Sequence, residues 1–175
     1  MSANTCYTSN MKKVYYTWQE VENQTQEILR QLQRDAWMPD YVVGLTRGGL
    51  VPANLISQYL EVPMECLKVS LRDDASQPES NLWMPEDVAA GKHILIVDDI
   101  NDSGATLNWI KQDWESSYSL SATEWEMLWT YNVRVAVLVD NEASTSKLNV
   151  SYSAVDLNKA EEDCWIVFPW EDWWK

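Results

Sequence analysis

Residues 94–106 read ILIVDDINDSGAT, from Ile94 to Thr106, and the reading of this stretch decides the fold. Ile94, Leu95, Ile96 and Val97 form an unbroken aliphatic run, the pattern of a parallel strand buried on both faces. Two adjacent carboxylates, Asp98 and Asp99, follow at its carboxyl end. Neighbouring strand side chains point to opposite faces, so the two acids are expected to do different jobs. Asp102, Ser103, Gly104, Ala105 and Thr106 then make a small, hydroxyl-rich turn that opens a helix. Leu107, Ile110 and Trp114 continue that helix at 3.6-residue spacing. The N–H groups of the turn, the Ser103 and Thr106 hydroxyls and the helix dipole together suit a monophosphate. Gly104 allows the close backbone approach, or positive φ, that such a turn requires.

Outward from this centre the pattern alternates strand and helix. Tyr15 and Tyr16 read as a short strand, and Thr17-Trp18-Gln19-Glu20 has the form of a capping box. Trp18, Val21, Ile28, Leu29 and Leu32 follow on one helical face through about Arg34. Residues 41–45 are a second apolar run, ending in Thr46-Arg47-Gly48-Gly49. Pro52 stands where a helix begins, with Leu55, Ile56, Tyr59 and Leu60 as its apolar stripe. Residues 66–71 alternate as a strand, 72–81 read as a polar loop, and 133–139 and 152–155 as further strands. The sum is an α/β chain with a mostly parallel central sheet flanked by helices and ligands at the strands' carboxyl ends. At 175 residues, 1–175 is expected to form one domain.

Composition excludes several classes. The formal net charge is −14, which opposes a polyanion such as DNA as the main partner. A small phosphorylated ligand remains compatible, because a local cradle of N–H groups opposes the global field. No run approaches the ~20 apolar residues that a membrane span needs. The first ten residues are polar and lack a secretory layout, so a cytoplasmic location is expected. Cys6, Cys66 and Cys164 read as reduced thiols. His93 is the only histidine and reads as a surface residue, which disfavours histidine-dependent triads and histidine-rich metal sites. Among the eleven tryptophans, Trp125 and Trp129 fall at i, i+4 spacing, as core or as an oligomer contact.

The aliphatic run, double acid, third acid and Ser-Gly-x-Thr cradle occur in the order found in the type I phosphoribosyltransferases, and the chain resembles that family. Thr46-Arg47-Gly48-Gly49-Leu50-Val51-Pro52 resembles the pyrophosphate loop of the same family, and Trp165-Ile166 with Pro169-Trp170 resembles its base-binding end. Within the family, the wording is most similar to the xanthine–guanine (6-oxopurine) branch.

The resemblance implies the type I fold, with a small hood contributed by the terminal regions, in particular residues 152–175. It implies a purine phosphoribosyltransferase that uses 5-phosphoribosyl diphosphate (PRPP), a purine base and Mg2+. Asp98 and Asp99 would hold the ribose hydroxyls and the metal, directly or through water. Asp102 would be the general acid/base near N7, and residues Asp102, Ser103, Gly104, Ala105 and Thr106 would grip the 5′-phosphate. Thr46, Arg47 and Gly48 would contact pyrophosphate around a strained or cis peptide. Arg72, in the loop over PRPP, is a further candidate. Trp165 would stack on the base and the Ile166 carbonyl would accept from its 2-position; a homo-oligomer, dimer or tetramer, is expected.

One departure stands out. Where the 6-oxopurine enzymes carry a lysine that donates to O6, this chain has Asp140, followed by Asn141. An ionised carboxylate cannot donate. Asn141, Lys147 or Lys159 could supply the donor, or the base could carry a 6-amino group. A non-catalytic nucleotide-binding module of the same fold is the other alternative.

Overall fold

The computed structural model describes residues 11–69 and 81–175. In chain order these form β1 (Lys12–Tyr15), α1 (Trp18–Asp35), β2 (Tyr41–Thr46), α2 (Leu50–Leu60), β3 (Met64–Lys68), α3 (Trp83–Ala89), β4 (Ile94–Asn101), α4 (Ala105–Ser117), α5 (Ala122–Tyr131), β5 (Val133–Asn141), β6 (Tyr152–Leu157) and β7 (Cys164–Val167). Cys6, Arg72 and most of the 72–81 loop lie outside the described residues.

Five strands pair in the order β3-β2-β4-β5-β6, and every pairing is parallel. Their alternation divides the core in two. Val43, Leu45, Ile94, Ile96, Val135 and Val137 face α3, α4 and α5. Val42, Leu95, Val97, Ala136 and Leu138 pack with α1 and α2. Covering both faces explains why the strands read as continuous apolar runs. The chain steps from β2 to β3 on one side, then crosses over to β4 on the other. This reversal opens a crevice between the carboxyl ends of β2 and β4, where open α/β sheets bind ligands.

Local chemistry sets the helix starts. Thr17 and Glu20 make the expected capping box, with Thr17 Oγ1 accepting from the Glu20 N–H at 3.1 Å. A second box, Ser121 with Glu124, starts α5. A cap contributes about 1 kcal/mol, whereas truncating a buried Ile to Ala costs ~2–5 kcal/mol. The buried Ile28 and Leu32 therefore hold α1 in place more than its cap does. Trp125 and Trp129 are buried in α5, and Trp129 stacks on both Trp125 (5.6 Å) and Trp114 (5.4 Å), so the pair belongs to the core.

The structure corrects the reading at several points. α2 begins at Leu50, two residues before Pro52, and its inward face is Pro52, Ala53, Ile56 and Ser57. Leu55 and Tyr59 are 40% and 57% exposed while the polar Ser57 is buried, so apolar spacing alone does not reveal this helix's phase. β4 runs on through Asn101, paired with Asp140, so the acid pair lies within the strand. β3 starts at Met64, and β6 extends to Leu157. A separate two-stranded parallel sheet joins β1 to β7, Lys12 with Cys164 through Tyr15 with Val167. This is the terminal hood, but residues 152–157, expected to belong to it, instead form β6 of the central sheet. The hood rests on the body through Phe168, which stacks on Trp170 at 4.9 Å and meets Tyr16 edge-on at 5.6 Å.

Tyr41, at the start of β2, is buried, and its hydroxyl donates to Asp87 Oδ2 at 3.0 Å. Burial, then the bond to Asp87, push this phenol's pKa above its ordinary value of 10.0. A raised folded pKa means that the stabilisation is fully present below the unfolded value and is lost as pH rises above it. Denaturation midpoints should therefore fall on going above the ordinary phenol pKa. Tyr41→Phe should flatten that fall, and an unchanged slope would count against the assignment.

Candidate active site

The crevice at the β2/β4 switch is a cavity of about 870 Å³, within the ~300–1,000 Å³ typical of small-molecule sites. Three segments border it: the loop after β2 with Thr46, Arg47 and Gly48, the stretch from Asp98 to Leu107, and the hood with Trp165, Ile166 and Phe168. Residues more than 100 positions apart in sequence thus share one wall.

The peptide between Thr46 and Arg47 is cis. Arg47 is exposed at the rim, while Gly49 is buried and its N–H bonds the Leu45 carbonyl at 2.9 Å. Gly48 faces the acid pair closely: a Cβ on it would lie 2.0 Å from Asp99 Oδ2. Only a residue without a side chain lets this loop and the Asp99 carboxylate occupy the same corner. Asp98 accepts from the Asp99 N–H (2.9 Å), and Asp99 accepts from the Ile100 N–H (2.8 Å), which orients both acids at the strand end.

The cradle follows. Gly104 has φ +86°, a left-handed conformation that side chains disfavour, and a Cβ there would meet Ser146 N at 2.4 Å. The positive φ turns the chain into α4, and Ser103 Oγ accepts from the Ala105 N–H at 3.3 Å. The turn is braced from outside by Thr145, whose N–H and hydroxyl both donate to the Ser103 carbonyl (3.0 and 3.1 Å). A helix N-terminus presented in this way favours an anionic group.

On the hood, Trp165 is 38% exposed and borders the cavity, while its strand neighbours Cys164 and Ile166 are buried. Strand alternation thus turns Trp165 away from the core, and its indole, with Ile166 beside it, borders the crevice. Trp170 and Trp174 extend the same aromatic wall.

Asp140 and Asn141 lie behind Asp102 and are not among the residues that border the cavity. Asp140 Oδ1 accepts from the buried Asn101 amide at 2.8 Å. Asn141 is buried, with its Nδ2 donating to the Asp102 carbonyl at 2.9 Å and its Oδ1 accepting from the Lys159 N–H at 3.0 Å. Lys147 lines a different, smaller cleft that also contains Asp35. Lys159 arrives from the turn after β6, and its Nζ stands 3.0 Å from Asp102 Oδ1. The sequence offered Lys159 only as an alternative beside Asn141 and Lys147; its proximity to Asp102 arises from the fold. His93 lies at the amino end of β4, against Trp37 (5.2 Å), away from the crevice.

A glycine turn opening a helix, paired acids and an Arg-Gly-Gly loop at the switch point of an all-parallel sheet match the family that the motifs resemble. Residues 12–171 match the family model described as phosphoribosyl transferase domain, and the chain belongs to that family. It is a phosphoribosyltransferase of the glycosyltransferase type with xanthine–guanine relatives.

Over 105 residues it is 31% identical to the xanthine-guanine phosphoribosyltransferase of Idiomarina loihiensis, an alignment covering 58% of this chain and 64% of that one. The enzyme of the same name from Cereibacter sphaeroides is 27% identical, with 91% and 87% covered. Among solved structures, the purine phosphoribosyltransferase of Pyrococcus horikoshii superposes with a TM-score of 0.64 at 24% identity, covering 91% of this chain and 94% of that one. The type I fold is thereby shown. Among the described residues, no helix is long and apolar enough to cross a membrane.

Proposed function

We propose that the chain transfers the phosphoribosyl group of PRPP to a 6-oxopurine (guanine, xanthine or hypoxanthine), releasing pyrophosphate and a nucleoside monophosphate for purine salvage. The observation that carries this reading is the convergence of Arg47, Asp98, Asp99, the Ser103–Gly104 turn and Trp165 on one cavity. Each suits a different part of the two substrates.

In the reaction, the purine nitrogen's lone pair forms a bond to the anomeric carbon as the bond to pyrophosphate breaks. The electron pair leaves with pyrophosphate, and the base's N–H proton passes to the Asp102 carboxylate. Positive charge grows on the ribose ring and negative charge on the leaving group. Asp98 and Asp99 would steady the former, and Arg47 with the adjoining N–H groups the latter. The donor set fits Mg2+, which binds through one or two carboxylates plus substrate phosphates, and Asp98 and Asp99 would hold it. When bound, the metal supplies charge neutralisation on the pyrophosphate. Residues 103–106 fix the 5′-phosphate, and Trp165 excludes water from one face of the base.

The 6-oxo preference is supported by Lys159. N7 and the 6-substituent share one edge of a purine, so a base with N7 at Asp102 brings position 6 toward the ammonium 3.0 Å from that carboxylate. An ammonium has donors only and favours an oxo group over an amino group. Lys159 does not itself border the cavity, but through its pairing with Asp102, which does, it would supply the donor that Asp140 cannot.

Pyrophosphate release from Mg-PRPP, measured with guanine, xanthine, hypoxanthine and adenine, tests the proposal. Turnover is expected with 6-oxopurines. Activity with adenine alone would transfer the assignment to a 6-amino base. Silence with all four would leave a nucleotide-binding module.

A further inference from the structure

Asn141 ends β5 with its side chain facing neither solvent nor the cavity; the residue is 6% exposed. Its amide joins three segments. Nδ2 donates to the Asp102 carbonyl (2.9 Å), while Oδ1 accepts from the N–H groups of Lys159 (3.0 Å) and Ala143 (3.2 Å). Three of the four bonds an amide can make are thus used on backbone groups.

A buried asparagine at a strand end ordinarily satisfies whatever loose backbone lies nearby. Here the choice of partners says more. Two of the three are the main chains of Asp102 and Lys159, the residues whose side chains form the 3.0 Å ion pair. Those residues lie on turns following β4 and β6, with β5 between them in the sheet. One amide therefore ties the backbones of both members of the pair to the strand that separates them. Long side chains such as lysine lose about 2 kcal/mol of rotamer freedom when held. A fixed backbone on each side removes part of the remaining search.

We propose that Asn141 is a positioning residue. It holds the proton-accepting carboxylate of Asp102 and the ammonium of Lys159 in register, so that a purine meets both along one edge. The inference rests on the roles given above to Asp102 and Lys159, and it adds a residue that touches neither substrate.

Asn141→Asp tests it with almost no change of shape. The acceptor toward Lys159 and Ala143 is retained, and the donor toward the Asp102 carbonyl becomes a repelling oxygen. With 6-oxopurines, kcat should fall by about 10–100-fold, as for a misplacement near 1 Å, with KM for PRPP close to wild type. In an Asp102→Asn background the same change should cost little more, because both act through one group.

Full additivity, or a uniform loss proportional to the folded fraction seen in a thermal melt, would overturn the proposal. If Asn141→Asp does not fold, Asn141→Ser is read for the same split; if neither folds, Asn141 is a determinant of the fold and the proposal fails. A wild type without turnover would sink the transferase reading separately. Binding then decides: Asn141→Asp should weaken guanosine monophosphate but not ribose 5-phosphate, and equal weakening, or a wild type that binds neither, overturns the positioning role.

Discussion

Asp102→Asn should lower kcat by about 10²–10⁴-fold, the range for losing a positioned general acid/base, while PRPP affinity stays near wild type. The asymmetry follows from the geometry. In the proposed mode the 5′-phosphate would meet the turn through N–H groups and hydroxyls at and after Ser103, and pyrophosphate would meet the loop at Arg47; neither would need the Asp102 carboxylate. An amide keeps its volume and one acceptor, and the Asn141 bond to the Asp102 backbone is untouched by the change. What disappears is the capacity to take a proton, together with the charge that pairs with Lys159. Single-turnover rates and PRPP titrations separate the two effects. A loss concentrated in PRPP affinity would mean that Asp102 serves the phosphate cradle, not the base.

The second large effect is expected at Gly48. In Gly48→Ala the added methyl would stand 2.0 Å from Asp99 Oδ2 and 2.4 Å from Asp99 Cγ, far inside contact distance. Either the loop withdraws or the carboxylate swings away, and both groups line the cavity where the diphosphate and ribose are proposed to sit. A displacement of about 1 Å at reacting groups costs on the order of 10²-fold in rate, so kcat/KM for PRPP should drop by at least that much. The fold itself should survive, since the clash lies at a cavity wall and not in either core layer. A thermal melt near wild type together with the lost activity is the expected signature. An active variant would show that the Arg47 loop and Asp99 need not be adjacent during turnover.

The two variants probe features of unequal legibility. The Ile94–Thr106 stretch was readable because its logic is local: an aliphatic run for a doubly covered strand, acids following it, a glycine where φ must be positive. Gly48 was visible only as part of an Arg-Gly-Gly word; that its missing side chain makes room for Asp99 depends on β2 and β4 lying side by side. Leu55 and Tyr59 show a related limit. Apolar spacing announces a helix, but in α2 the sheet chooses which side turns inward.

The sequence by itself determined a mostly parallel central sheet, the glycine turn at 102–106 that opens a helix and the Arg-Gly-Gly loop after β2, because each follows from neighbouring residues and their backbone preferences; that every pairing is parallel came from the structure. Tertiary structure alone decided what stands beside Asp102. Lys159 is 57 positions away along the chain and Asn141 is 39, and no periodicity links them. They meet because β4, β5 and β6 pair in parallel register and bring successive strand ends to the same edge of the sheet. The turn after β6 thereby places the Lys159 ammonium 3.0 Å from Asp102, an arrangement that only spatial adjacency can make.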